Sequence, residues 1–265
     1  MGVVFIKRHP TAPRGFFATE AAGLRWLASA GEVNVVEVID VADDYLELRQ
    51  LQSVSPTAVA AREFGAGLAR LHSTPAPFFG YRPQRGTAWF GPLPDPFPTP
   101  SSTSMDFGEF WSIQLRHVTE LADPVFQRLG TGIAPIMDVI EAVESGAFNG
   151  IAGHGEQSPS RVHGDLWAGN LMWTPEGVVL IDPAAHGGHR LEDLAMLELF
   201  GAPYLEEIYA GYLDTYPMPD GWRDDLPAHY LYGLIAHVYL FGGSYASQAL
   251  HAAQHVLSLD RLKRG

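Results

Sequence analysis

The segment from His163 to Asp182 restricts the possible folds of this chain more than any other part of the sequence. It begins with His-Gly-Asp-Leu-Trp-Ala-Gly-Asn, ending at Asn170, and an apolar run then leads to Ile181-Asp182. Between the two motifs lies Thr174-Pro175-Glu176-Gly177, a composition typical of a turn. The pattern therefore predicts a β-hairpin that brings Asn170 and Asp182 together in space.

The side chains at the ends of this hairpin suggest a particular chemistry. One carboxylate and one amide oxygen suit Mg²⁺, which keeps several waters and binds substrate phosphates. Asp165 remains free nearby to accept a proton from an attacking hydroxyl. These are the requirements of phosphoryl transfer, in which catalysis consists mainly of positioning and charge stabilisation. A single Asp in a loop is usually a cap or a turn former, so the prediction depends on the joint pattern.

Charge and cysteine content exclude several other classes of protein. The formal net charge is −13, whereas nucleic-acid-binding proteins usually carry a basic patch. The chain has no cysteine, which removes disulfides, thiol nucleophiles and thiolate metal sites. Met1–Pro10 lacks the long apolar region of a signal peptide, so we expect a cytoplasmic protein. Residues 226–259 contain no Asp, Glu, Lys or Arg, but Gly242-Gly243 interrupts them, which predicts two packed helices and no membrane span.

Periodicity and turn residues predict an α+β chain in two parts. In the first part, up to Leu51, we expect these elements: a strand Val3–Ile6, a helix Thr19–Ala30 with Thr19 as N-cap, and strands Val35–Val41 and Tyr45–Leu51. In the second part we expect mainly helices and three short strands. The predicted helices are Ser55–His72, Asp106–Leu121, Ile133–Glu144, Arg190–Phe200, Tyr204–Tyr216, Trp222–Phe241 and Ser244–Arg264, and the predicted strands are Arg161–His163, Leu171–Trp173 and Val178–Ile181. The segment Phe78–Ser104, with proline at every second position from Pro92 to Pro100, predicts an extended loop packed on its own domain.

The catalytic segment resembles that of the aminoglycoside phosphotransferase and choline kinase superfamily, whose fold is protein-kinase-like. Trp167 after His-Gly-Asp-Leu, and Asp182-Pro183-Ala184, are similar to the fructosamine kinase (ketosamine-3-kinase) family. Other similar stretches are Gly67–His72, Phe79-Gly80-Tyr81, Gly188-His189-Arg190, Asp193–Gly201 and Phe241–Tyr245. The resemblance implies a two-lobe fold with a small α+β N-lobe, residues 1–51, and a larger, mainly helical C-lobe, residues 52–265.

The resemblance also implies roles for individual residues. Asp165 would be the catalytic base, while Asn170 and Asp182 would hold Mg²⁺ and bridge the phosphates of ATP. Lys7 would pair with the α- and β-phosphates and be oriented by Glu20. Further residues would contribute in other ways: Arg49-Gln50-Leu51 as the linker that meets adenine, Trp167 as a wall of the substrate pocket, His163 as support beneath Asp165, and Asp193 as an anchor of the loop backbone. The acceptor would be the 3-hydroxyl of a fructosamine or ribulosamine, free or on a protein lysine.

The sequence departs from the family pattern at two places. Only six residues precede Lys7, enough for one strand, whereas this fold normally has a strand, a phosphate-covering loop and a second strand there. Two interpretations stay open: the loop is encoded upstream, or the N-lobe is truncated and binds nucleotide weakly. Thr87-Ala88 stands where fructosamine kinases usually have Asp-Asn, and Asp95 and Phe97 replace a Gln and an Asn often found just after, which weakens the substrate prediction.

Three alternatives remain beside a ketosamine kinase. One is an aminoglycoside or other small-alcohol kinase, and another is a silent kinase-like protein that binds without turnover. A third is a metallohydrolase in which His186 and His189 join Asp182, although no recognised zinc motif is present. The aromatic residues from Tyr230 to Phe241 are most simply core, with a substrate pocket as the alternative. The sequence does not predict the oligomeric state.

Overall fold

The structure is a computed structural model that describes residues 3–93 and 95–259. The strands are β1 (Val4–Arg8), β2 (Asn34–Val35), β3 (Val38–Val41), β4 (Tyr45–Arg49), β5 (Ala88–Phe90), β6 (Phe97–Thr99), β7 (Ser160–Val162), β8 (Leu171–Thr174), β9 (Gly177–Leu180) and β10 (His186–Gly188). The helices are α1 (Phe16–Ala28), α2 (Ala58–Ser73), α3 (Phe107–Arg128), α4 (Ala134–Glu144), α5 (Leu191–Phe200), α6 (Leu205–Thr215), α7 (Leu226–Phe241) and α8 (Ala246–Ser258).

The N-terminal part is an antiparallel sheet of order β1-β4-β3 with α1 packed against it. Phe17 and Leu24 of α1 are fully buried in one cluster with Leu46 and Leu48 of β4. In this sheet Lys7 lies opposite Leu46 of the central strand. Lys7 therefore lies on β1, and the neighbouring strand β4 packs against the apolar face of α1.

Two predicted elements of this part have other boundaries. Helix α1 begins at Phe16, three residues before the predicted N-cap Thr19, because Gly15 adopts a left-handed backbone (φ 81°) and turns the chain so that Phe17 enters the core. The single predicted strand Val35–Val41 is two strands. Its first residue, Val35, belongs to β2, which pairs in parallel with β9, whereas β3 pairs with β4. This pairing joins segments more than 140 residues apart, which local patterning does not encode.

The C-terminal part is built from helices that approach closely. Helix α2 packs on α6 through Gly65 and Gly211. A Cβ at Gly65 would lie 1.9 Å from the carbonyl oxygen of Ile208, so only glycine permits this separation of the two backbones. Helix α2 is capped by Thr57, whose side chain accepts a hydrogen bond from the Ala60 amide at 3.2 Å, and not by the predicted Ser55.

The ends of three other helices differ from the predictions. Helix α3 continues past Leu121 to Arg128 because Ala122, Val125 and Phe126 are buried in the core, and it accommodates Pro124 in its last turns. The predicted helix Trp222–Phe241 opens with a 3-10 turn at 222–225. The last helix ends at Ser258, and its predicted end, Arg264, lies outside the described residues.

The predicted junction between the last two helices is confirmed. Helices α7 and α8 are joined at Gly242-Gly243, where Gly242 has φ 87°. No helix within residues 3–93 and 95–259 is long and apolar enough to cross a membrane. The proline-rich segment packs on its own domain, as predicted, and buries Phe90 and Phe97 in the core of the C-terminal part, but it also forms the antiparallel pair β5–β6, which was not predicted.

The predicted hairpin is present as β8 and β9. A 3-10 turn, Ala168–Asn170, precedes it, and β7 leads into the His163 motif. Strand β10, which was not predicted, pairs antiparallel with β7. The chain therefore enters the motif from one strand of this pair and returns, after Asp182, along the other.

Candidate active site

A cavity of about 420 Å³ lies where the N-terminal sheet, α1, the hairpin and the end of α7 meet. Five of the predicted polar residues line it: Lys7, Glu20, Asp165, Asn170 and Asp182. The structure thus brings together side chains that are separated by up to 175 positions in the sequence. Apolar residues of α1, β5 and α7 complete the wall.

Lys7 connects the two lobes across this cavity. Its Nζ lies 2.6 Å from Glu20 Oε1, and it also forms an ion pair with Asp182 Oδ1. Although burial alone would lower the pKa of Lys7, these two carboxylates raise it. Burial raises the pKa of Glu20, and Lys7 opposes that shift. The amine is therefore a charged group held between α1 and Asp182, two residues after the end of β9.

Asp165 and Asn170 lie side by side at the floor of the cavity. Asn170 Nδ2 donates to the backbone carbonyl of Asp165 at 2.7 Å and approaches Asp165 Oδ2 at 3.2 Å. The same amide nitrogen reaches the carbonyl oxygen of Asp182 at 3.4 Å. Burial raises the pKa of Asp165 to about 7, a value suited to proton transfer near neutral pH.

The loop that carries Asp165 is anchored from below by His163 and Asp193. Asp193 is fully buried and accepts hydrogen bonds from the backbone amides of His163 (2.8 Å) and Gly164 (2.9 Å) and from His72 Nε2 (3.1 Å). Burial would raise the pKa of Asp193, but the hydrogen bond and charge of His72 and the backbone donors hold it below its usual value.

His163 links the two loops of the site. Its Nδ1 accepts from the Asp165 amide at 3.2 Å, so Nε2 carries the proton and donates to the carbonyl of Ile181 at 2.8 Å. Burial lowers the pKa of His163, which keeps the ring neutral. The ring therefore ties the backbone of Asp165 to the residue before Asp182.

The oxygens near Asp182 fit a magnesium ion that is shared with phosphate. Among the described residues, Asn170 Oδ1 and Asp182 Oδ2 have no hydrogen-bonded partner. No group of three His, Cys, Asp or Glu side chains in that part of the chain could hold a metal ion. Two hard oxygens without a full protein cage are what Mg²⁺ needs when water and phosphate complete its shell.

His186 and His189 do not join Asp182. His186 Nε2 contacts Glu192 Oε2 at 3.0 Å, and its Nδ1 lies 2.9 Å from the carbonyl oxygen of Ala184. His189 is fully buried, with its ring centroid 4.9 Å from that of Phe107. A hydrolase site built on these histidines is therefore not formed.

The remaining predicted residues lie partly on and partly off the cavity. Trp167 lines it with 42% of its surface exposed, and its ring lies so close to Gly169 that a Cβ there would be 2.3 Å from it. Phe241, at the end of α7, also lines it. None of the three residues Arg49, Gln50 and Leu51 lines this cavity. Arg49 pairs with Glu37, and the backbone amide of Gln50 donates to the carbonyl of Val3. Their role at adenine stays a prediction.

Sequence reasoning missed two residues near the site. Arg82 lines the cavity, and no motif or periodicity distinguished it in a loop segment. His72 lies within the stretch Gly67–His72, but only the tertiary fold brings it to Asp193, from which it is separated by 121 residues. The similarity of Gly67–His72 to the fructosamine kinase family could have indicated a role for His72, whereas no feature of the sequence indicated one for Arg82.

The fold is that of the protein-kinase-like class, as predicted. The structure resembles that of a macrolide 2′-phosphotransferase from Brachybacterium faecium, with a TM-score of 0.58 and 16% identity over 95% of this chain and 84% of that one. At this identity the likeness shows the fold alone.

Within that class the chain belongs to the fructosamine kinase family, whose family model matches residues 1–259. A protein of Enterococcus faecium described as a probable ketoamine kinase is 31% identical over 92% of this chain and 84% of its own length. YniA of Escherichia coli K12, also described as a probable ketoamine kinase, is 32% identical, with coverage of 93% and 80%. A crystal structure of a candidate fructosamine-3-kinase from Thermobifida fusca has a TM-score of 0.82 and 34% identity, covering 97% of this chain and 86% of that one.

Proposed function

We propose that this chain transfers the terminal phosphoryl group of ATP to a sugar hydroxyl of a ketosamine. Family membership supports a kinase that uses ATP as its co-substrate. The observation that carries the finer proposal is the convergence of Asp165, Asn170 and Asp182 on one cavity that also contains Lys7. We place the boundary between the lobes after Leu51.

In this proposal Asp165 positions the acceptor hydroxyl and accepts its proton while the oxygen attacks the γ-phosphorus of ATP in line. Lys7, fixed by Glu20, binds the α- and β-phosphates. Asn170 and Asp182 would hold Mg²⁺, which supplies charge neutralisation at the phosphates when bound. The pKa of Asp165, about 7, supports its role as the base, because a strongly acidic carboxylate would bind the proton of the hydroxyl too weakly to assist.

The acceptor is proposed to be a fructosamine or ribulosamine, as a free small molecule or on a protein lysine. The relatives described as ketoamine kinases support this class. The exposed indole of Trp167 supports it too, because aromatic faces pack on sugar C–H groups and attract protonated amines.

The test is ADP production with Mg-ATP and four acceptors: fructosyl-lysine, ribulosyl-lysine, an aminoglycoside and choline. We expect turnover with one or both ketosamines. Turnover with the aminoglycoside or choline alone would replace the ketosamine by another alcohol. A thermal shift with a ketosamine, but neither turnover nor a shift with Mg-ATP, would identify a silent binding protein.

The assigned base is tested by Asp165→Asn. The amide oxygen can still accept the contact from Asn170 Nδ2, so we expect an unchanged unfolding midpoint and a kcat lower by about 10²–10⁴-fold. Asp138→Asn, at an exposed position of α4, is the matched control and should keep full turnover. Retention of wild-type kcat in Asp165→Asn would exclude Asp165 as the base.

A further inference from the structure

Arg82 has an unusual position among the described arginines. Its guanidinium makes one hydrogen bond, to the hydroxyl of Thr99 at 2.9 Å, and no carboxylate of the described residues lies within 4.0 Å of it. Other arginines in that part of the chain pair with a carboxylate, stack on an aromatic ring or are exposed. Arg82 instead lines the active-site cavity.

The surroundings of Arg82 compensate its charge only in part. It borders a small recess of about 30 Å³ together with Tyr232 and Glu192. Both oxygens of Glu192 are engaged, one by His186 Nε2 at 3.0 Å and one by the His189 amide at 2.6 Å. Burial lowers the pKa of Arg82 because few groups replace the water that a guanidinium loses, and the nearby charge of Glu192 opposes this shift without forming an ion pair with Arg82. An anion in the cavity would supply the missing partner.

The position of Arg82 relative to Asp165 indicates which substrate carries that anion. Gly164, the neighbour of Asp165, borders the same recess as Arg82, whereas Lys7, Asn170 and Asp182 do not. Arg82 therefore lies beside the loop that carries Asp165, at a recess that the groups suited to nucleotide phosphates do not border. A molecule with its hydroxyl at Asp165 would direct another part toward Arg82.

We propose that Arg82 binds a carboxylate of the phosphoryl acceptor, so that this chain prefers ketosamines formed on amino acids with a free carboxylate. The proposal rests on the proposed ketosamine kinase activity. Thr99 occupies one of the five N–H donors of the guanidinium, which leaves enough for a two-point contact with a carboxylate. The recess has about the volume of one water molecule, so the carboxylate would meet Arg82 from the main cavity.

The experiment compares acceptors that differ only in this charge. Fructosyl-glycine and fructosyl-4-aminobutyrate are assayed beside their carboxamides, and ADP production gives kcat/KM for each. We expect the acid of at least one pair to exceed its amide by at least about tenfold, mainly through KM, because a charged hydrogen-bonded pair replaces a neutral contact. Arg82→Gln should reduce this ratio to less than threefold.

The controls separate charge recognition from folding. Arg85→Gln changes an exposed arginine of the same loop and should leave the ratio unchanged. Arg82→Lys keeps the cation without the two-point geometry and should give an intermediate ratio. If Arg82→Gln does not fold, as judged by its unfolding midpoint, the lysine variant decides.

Three results would overturn the proposal. Equal kcat/KM values for acid and amide within both pairs in the wild type would mean that no carboxylate is recognised. In that case, turnover of the amides would still support the proposed kinase activity. A rise in the KM for ATP in Arg82→Gln with an unchanged acid-to-amide ratio would assign Arg82 to a nucleotide phosphate. If no acceptor is turned over, the thermal shift caused by the acids decides. A shift in the wild type that is lost in Arg82→Gln would support the carboxylate site without the kinase activity, whereas no shift in the wild type would refute the carboxylate site.

Discussion

Replacing Asp193 by Asn tests how the catalytic loop is held in place. The carboxylate is fully buried and accepts three hydrogen bonds, from the amides of His163 and Gly164 and from His72 Nε2. Asparagine is nearly the same size but offers one oxygen. If that oxygen serves His163 and His72, the NH₂ group faces the amide of Gly164, so that two donors oppose each other.

The expected loss of stability follows from these contacts. Two hydrogen bonds lose the charge of their acceptor, at about 1 kcal/mol each, and one buried N–H is left unpaired, at about 1–3 kcal/mol. Asp193→Asn should therefore lower the free energy of unfolding by about 3–5 kcal/mol, in the range found when one partner of a buried ionic contact is removed. Asp138→Asn, on an exposed face of α4, should change it by less than about 0.5 kcal/mol.

Urea denaturation at pH 7, followed by circular dichroism, measures both variants. Asp193 has a lower pKa in the folded protein than the value of about 3.9 in an unfolded chain. Its contribution is therefore complete above that value and declines as the pH falls through the folded pKa. The difference between wild type and Asp193→Asn should shrink below pH of about 4. A loss under 1 kcal/mol at pH 7 would refute the reasoning.

Two glycines give further predictions, each with a matched control and each measured by urea denaturation. Gly164 has a left-handed backbone (φ 79°), and a Cβ there would lie 2.4 Å from a carbonyl oxygen. Gly130 has a similar backbone (φ 67°) but open space around it, so Gly130→Ala should lower the free energy of unfolding by about 1 kcal/mol. Gly164→Ala should lower it by clearly more. Equal losses would show that the loops relax freely. Gly65→Ala should cost more than 3 kcal/mol by separating α2 from α6, whereas Gly132→Ala, with no atom within 4 Å, should stay within about 0.5 kcal/mol; a loss below 1 kcal/mol at Gly65 would contradict the close helix contact.

The sequence was informative where a motif combined turn residues with chemistry. The hairpin between Asn170 and Asp182 was predictable because its turn and its apolar runs are local features. The division of the strand Val35–Val41 was not, because β2 pairs with a strand far along the chain. Arg82 gave no signal, since an arginine in a proline-rich loop is ordinarily solvated and only the fold brings it to the cavity.

The loops that carry the two aspartates are held together by their backbones. Gly164 packs against the carbonyl of Ala184, and Asn170 Nδ2 reaches the carbonyls of Asp165 and Asp182. Asp182 itself has φ 54°, a left-handed backbone that costs about 1–2 kcal/mol for a residue other than glycine and that these contacts must sustain.

Because these contacts involve the main chain, the positions of the aspartates do not depend on the side chains of the opposite wall. Substitutions in the segment from Arg82 to Phe90 can therefore change which acceptor the cavity binds while the phosphoryl-transfer groups keep their arrangement. Among family members with the same backbone arrangement, we therefore expect differences in acceptor preference to arise from residues of this segment. In this chain, the charge of Arg82 is the feature from which we infer a preference for acceptors with a carboxylate.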